Sequence, residues 1–172
     1  MRRVFSLGVV AYLILLLLLE LCWLPFAAGN PWRIALLYLM ILYAAFEWNA
    51  RFLIPLAGLI GLFRDLTGSL PFGTETLALF SSAWALRLVV PKIERGLLLV
   101  RLLTAFVYLA TVPLLIAGFS GVLGGPAPLA GSRLGVIIGS ALLSTAVLPL
   151  FFYMTGRWFG ERSVLKQYEL FG

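Results

Sequence analysis

Six apolar runs, each ended by charge, glycine or proline, constrain this chain more than any motif does. Leu97 to Phe119 is interrupted only by Arg101, and Arg133 to Thr155 carries no charge after its first residue. Runs of this length need surroundings that are themselves apolar, as the hydrocarbon core of a bilayer is. The rest of the chain agrees: 62% of residues are hydrophobic and 12% charged, with a mean hydropathy of +1.06. Soluble domains carry about 25% charged residues. Nowhere in the 172 residues is there a stretch both long and polar enough for a separate soluble domain. The expectation is one all-α, polytopic transmembrane domain over residues 1–172.

Val4 to Leu24 is apolar except for Glu20, and as helix it spans about 30 Å. A signal peptide would have a core of about 7–15 residues ending at a small-x-small site. This run is longer, and Leu24-Pro25-Phe26-Ala27-Ala28 fits such a site poorly. Trp23 and Trp32 flank a short turn as interfacial anchors. The second run is Pro31 to Trp48, with Pro31 suited to a first helical position and Arg33 able to snorkel. The third, Arg51 to Leu66, is short at roughly 24 Å and contains Pro55. Thr74 to Val90 is the fourth, followed by the charged break Pro91 to Gly96. Leu97 to Phe119 and Arg133 to Thr155 are the fifth and sixth, separated by a Gly- and Pro-rich loop over Gly118 to Ser132. The tail, Gly156 to Gly172, reads either as a short interfacial helix or as disordered chain.

Six crossings place both termini on one side. With a cytoplasmic N-terminus, Arg2, Arg3, Arg51, Arg87, Lys92, Arg95, Arg101, Arg157, Arg162 and Lys166 lie inside. Only Arg33, Arg64 and Arg133 lie outside, which follows the positive-inside rule. The net charge of +6 is therefore read as topology, with the bilayer rather than nucleic acid as the partner. The chain has no His and one Cys, Cys22. That removes histidine acid–base chemistry, Cys/His metal clusters and an internal disulfide. Cys22 reads as a small apolar filler.

Where helices meet in lipid, small residues mark the close contacts. Gly131, Gly135 and Gly139 recur every four residues in the sixth run, which reads as a packing face for a neighbouring helix of this chain, or for another chain or a second copy. Leu13 to Leu19 shows the reverse, a nearly pure Leu/Ile surface for lipid or a partner's helix. In the third run, Gly58, Gly61, Asp65 and Gly68 share one helical stripe. Asp65 is the only aspartate in the chain. It reads either as a solvated interfacial carboxylate or as a buried one that accepts hydrogen bonds from helix N-terminal amides and fixes the turn into the fourth run. Arg64 points about 100° away and is expected to snorkel to the outer surface. Gly68, Pro71 and Gly73 end the helix and turn the chain toward Thr74-Glu75, the expected cap of the fourth run. Glu20 and Glu47 lie near helix ends, reaching the interface or pairing with Arg33 or a partner's cation. With no His, no second clustered carboxylate and no nucleophile motif, Asp65 makes no reaction centre. No catalytic residue, metal ligand or cofactor is assigned.

The stretch Gly58-Leu-Ile-Gly-Leu-Phe-Arg-Asp65-Leu-Thr-Gly-Ser-Leu-Pro-Phe-Gly73 resembles the signature of the rod shape-determining protein MreD family, approximately G-L-x-x-D-L-x-x-G-x-x-x-G. Gly61, Leu62, Asp65, Leu66, Gly68 and Gly73 carry the likeness. The Asp65-to-Gly68 spacing is one residue tighter than the pattern, and Gly73 is slightly displaced. The resemblance implies a non-enzymatic membrane scaffold of bacterial cell-wall elongation, located in the inner membrane. It would bind the transmembrane helix of MreC and the segment just outside it, and act indirectly with MreB and the RodA–penicillin-binding-protein synthase. It also implies a fold like that of the substrate-binding S components of energy-coupling-factor transporters. A vitamin-binding transporter subunit is the alternative. Against it stand a thin polar inventory (Ser81, Ser82, Thr104, Tyr108, Thr111, Ser140, Ser144 and Thr145) and a first helix without Ala-x-x-x-Ala spacing.

Overall fold

The computed structural model describes residues 7–26, 33–48, 50–68, 70–92, 98–124 and 131–159. These form six α-helices: α1 (Leu7–Phe26), α2 (Leu36–Glu47), α3 (Ala50–Thr67), α4 (Thr74–Val89), α5 (Leu98–Val122) and α6 (Gly131–Phe159). One 3-10 turn, Val90–Lys92, follows α4. There is no strand among the described residues. Two helical stretches, Leu98–Val122 and Leu134–Phe159, are long and apolar enough to cross a membrane. Pro31, Trp32, most of the charged break before α5 and tail residues 160–172 lie outside the described residues, as does the side chain of Trp23.

The short helix α2 sits at the centre. Every residue from Leu37 to Phe46 is buried, so it is apolar all round because it is covered all round. It packs against α1, α3, α4 and α6. Helix α1 is also apolar all round, yet it is two-sided. Val9, Tyr12, Leu13 and Leu16 face inward, at the spacing of one helical face, while Ile14, Leu15, Leu18 and Leu19 face out. The Leu13–Leu19 run is thus half core and half surface.

The helix bounds differ from the sequence reading in two informative places. Helix α2 begins at Leu36 rather than near Pro31. Before it, the N–H groups of Arg33 and Ala35 donate to the Ser140 and Ser144 hydroxyls of α6, at 3.0 and 3.2 Å. Those hydroxyls satisfy amides of the non-helical segment, so it leaves neither of them unpaired. Helix α5 runs on to Val122, taking Gly118 and Ser120 out of the expected loop. It stops where Gly124 adopts φ +77°, the left-handed conformation that commonly ends helices.

One end of the bundle is aromatic. Tyr12 stacks edge-on with Phe159, Trp48 with Phe159, and Tyr43 with Phe152, with ring centroids 5.2–5.5 Å apart. The buried Tyr12 hydroxyl shares a 2.8 Å hydrogen bond with Thr155 Oγ1, joining α1 to α6. The opposite end is polar and carries the candidate site.

Candidate functional site

Helices α3 and α4 form the most extensive helix pair in the molecule. Their approach is set by Gly61. A Cβ on that residue would stand 2.5 Å from Thr76 Cα and 3.0 Å from Thr76 N, so only glycine lets the backbones meet. Two turns away the chain must reverse and start α4, whose first amides have no intrahelical partners. The N-cap residue is Gly73, at φ +93°, not the expected Thr74-Glu75; it has no side chain to cap with, and the Thr74 hydroxyl, one residue inside the helix, donates back to the Pro71 carbonyl.

Asp65 supplies the cap from across the turn. Its Oδ1 accepts the Glu75 N–H at 2.9 Å. Its Oδ2 accepts the N–H groups of Gly73 and Thr76 at 3.1 and 3.0 Å, and the Thr76 hydroxyl at 2.5 Å. Thr74 N–H goes to the Pro71 carbonyl at 3.2 Å and Leu77 N–H to the Gly73 carbonyl at 2.9 Å. Every amide from Gly73 to Leu77 is therefore satisfied. The carboxylate is buried and lies at the positive end of the α4 dipole, where a negative charge is favoured. This is the buried arrangement of the two considered for Asp65, not the solvated one. Gly68 closes the end of α3 through its N–H, which donates to the Arg64 carbonyl at 2.7 Å. Leu62 and Leu66 point outward. Gly58 departs from the expected close contact, since a Cβ there would meet nothing within 4 Å.

Arg64 is the main correction. It does not snorkel outward. Its guanidinium pairs with Glu75 of α4 and Glu20 of α1 and lies 4.9 Å from the ring centroid of Tyr38 in α2. Glu20 also accepts the Leu37 N–H at 3.4 Å, at the start of α2. Four helices therefore meet at one cation flanked by two carboxylates. Glu20 finds Arg64 rather than Arg33, and Glu47 pairs at 3.1 Å with Arg101 rather than with a partner's cation. The topology held a clue: Glu20, Arg64 and Glu75 all fall at the same expected end of their helices. Tyr38 and Thr76, as ordinary members of apolar helices, gave no signal.

Beside this node lies a cavity of about 350 Å³, lined by Glu20, Arg33, Tyr38, Arg64, Glu75 and Ser140 among others. Chemically the node is a fixed charge arrangement. Four donors already engage Asp65, and among the described residues no three His, Cys, Asp or Glu side chains gather as a metal site. The glycine repeat of α6 is not part of it. Gly135 is exposed, with nothing within 4 Å of a Cβ placed on it, so at that position the repeat packs on no described residue of this chain.

No family model, curated protein or solved structure matches this chain.

Proposed function

We propose that the chain is a multi-pass protein of the bacterial cytoplasmic membrane, with six crossings and both termini cytoplasmic. In this reading it is a non-enzymatic scaffold of cell-wall elongation that binds the MreC transmembrane helix and the segment just outside it. Through MreC it acts with MreB and the RodA–penicillin-binding-protein synthase. One observation carries the reading. Three of the positions that carry the MreD-like likeness form a single structural device: Gly61 sets the helix approach, and Asp65 caps the helix that Gly73 begins. A device that holds two helices rigidly, with its only aspartate fully occupied, suits a docking platform better than a reaction centre.

The test is purification of the full-length protein from native membranes, with identification of what comes with it. The scaffold reading expects an MreC-like single-span chain and synthase components, with recovery falling in Asp65→Asn. Normal rod shape and undiminished recovery in both Asp65→Asn and Gly61→Leu cells would overturn it. A second reading, solute binding by a transporter subunit, is favoured by the cavity of about 350 Å³, mostly apolar with a few charged side chains on its wall, a volume at the small end of ligand sites. It expects transporter ATPases to co-purify and a vitamin to bind saturably.

A further inference from the structure

The cavity of about 350 Å³ beside the Arg64 node carries charge that the fold itself does not use. Arg64 gives Nη1 to Glu20 and Nε to Glu75, so one cation answers two carboxylates. Glu20 has both oxygens engaged, Oε1 by Arg64 and Oε2 by the Leu37 N–H at 3.4 Å. Glu75 has one. Its Oε2 meets Arg64, while its Oε1 accepts no hydrogen bond from any described residue. The side chain is nevertheless only 9% exposed. The free oxygen lies on the cavity side: a Cβ on Gly68 would stand 3.7 Å from it, and Gly68 and Glu75 both line the cavity. Nor is it occupied by the first amides of α4, which Asp65 already holds. A carboxylate oxygen left open on a mostly apolar wall is costly unless something polar meets it.

The opposite charge is free elsewhere around the same cavity. Arg33, in the non-helical segment before α2, also lines it, and its exposed guanidinium pairs with no carboxylate among the described residues. Ser140 of α6 stands beside it. The Ser140 Oγ accepts the Arg33 N–H at 3.0 Å, which keeps its own proton available to donate. The cavity therefore offers an acceptor from α4 and two donors, one of them cationic, from the α2 entry and α6. A plain cation would meet Glu75 and leave Arg33 unanswered. A plain anion would meet Arg33 and face a node with one negative charge in excess. A ligand carrying both charges answers both.

We propose that this cavity binds a small zwitterion, whose primary ammonium donates to Glu75 Oε1 and whose carboxylate or phosphate is held by Arg33 and the Ser140 hydroxyl. A quaternary ammonium has no N–H to give and fits poorly. The same chemistry has two sources: a free solute of amino-acid size, or the headgroup of an aminophospholipid. The inference rests on the solute-binding reading of this cavity only for the free solute, and it needs neither transport nor an elongation partner.

The test follows the melting temperature of the purified full-length protein against β-alanine and phosphoethanolamine, which pair an ammonium with a carboxylate and with a phosphate. Ethanolamine supplies the ammonium alone. The proposal expects saturable stabilisation by a zwitterion, with an affinity about tenfold above that of ethanolamine, the worth of one further hydrogen bond to a charged group. Arg33→Gln, at an exposed position, should abolish that advantage and leave ethanolamine binding unchanged. Glu75→Gln should weaken both ligands alike; if that variant fails to fold, Arg33→Gln decides. Re-extraction from vesicles of equal phosphatidylethanolamine, phosphatidylcholine and phosphatidylglycerol separates the sources. Selective retention of phosphatidylethanolamine, lost in Arg33→Gln, identifies a headgroup; zwitterion binding without it identifies a free solute. Neither zwitterion binding nor selective retention, or indifference of both to Arg33→Gln, would overturn the proposal. If a zwitterion binds and no transporter ATPase co-purifies, the site stands and the transporter reading falls. If the ATPases co-purify and a vitamin binds where the zwitterions and the aminophospholipid do not, the transporter reading stands and the site falls.

Discussion

Two helices of this protein carry glycines at helical spacing, and they use them in opposite ways. In α3, Gly61 touches the backbone of α4 so closely that no side chain fits. In α6, Gly135 faces open space. Spacing is common to both. What separates them is the polar chemistry beside the α3 stripe, where Asp65 gives α4 a reason to begin at that distance. Small residues permit a close approach; a hydrogen-bonded anchor is what commits the chain to one.

The sharpest way to break this contrast is to remove the anchor. Asp65→Ala strips four hydrogen bonds and leaves the buried Glu75 amide unpaired. It should cost about 4 kcal/mol of stability, at roughly 1 kcal/mol or more for each lost bond, read as a lowered melting temperature in detergent. Gly61→Ala keeps the anchor and removes the space. A Cβ 2.5 Å from Thr76 Cα must push the helices apart, at a cost of about 2–3 kcal/mol, measured the same way. Arg64→Gln leaves Glu20 and Glu75 facing each other. Because the node is partly exposed, the expected cost is about 2 kcal/mol, below that of a fully buried pair. Adding Glu20→Gln and Glu75→Gln should recover most of that loss. Gly135→Ala, the same substitution as at Gly61, should change the sign. With open space around it, the added methyl should stabilise α6 by about 0.5–1 kcal/mol. A loss of stability there would mean that the α6 repeat packs on something after all.

How far these features could be read in the sequence depended on how local their partners are. Asp65 was legible in part: its partners lie within eleven residues, yet the sequence left its solvated and buried readings open and pointed to Thr74-Glu75 rather than Gly73 as the cap. Arg64 was not. The direction of its Cβ says little about a side chain that long, and Glu20 lies 44 residues away. The start of α2 was hidden for the same reason, since the hydroxyls that receive the amides before it belong to Ser140 and Ser144, more than 100 residues downstream. The two faces of α1 could not be told apart because both are apolar. Periodicity is informative only where the outside of a protein differs chemically from its inside.

The two polar anchors also differ in what they demand during synthesis. Asp65 is answered within its own hairpin, so α3 and α4 can leave the ribosome with that charge already accommodated. Arg64 is half answered by Glu75 and completed only by Glu20 of α1, a helix made earlier. The hairpin can therefore form first and latch onto α1 afterwards, closing over α2, whose N-terminal amide Glu20 also holds. One arginine thus ties helices made at different times to a single point.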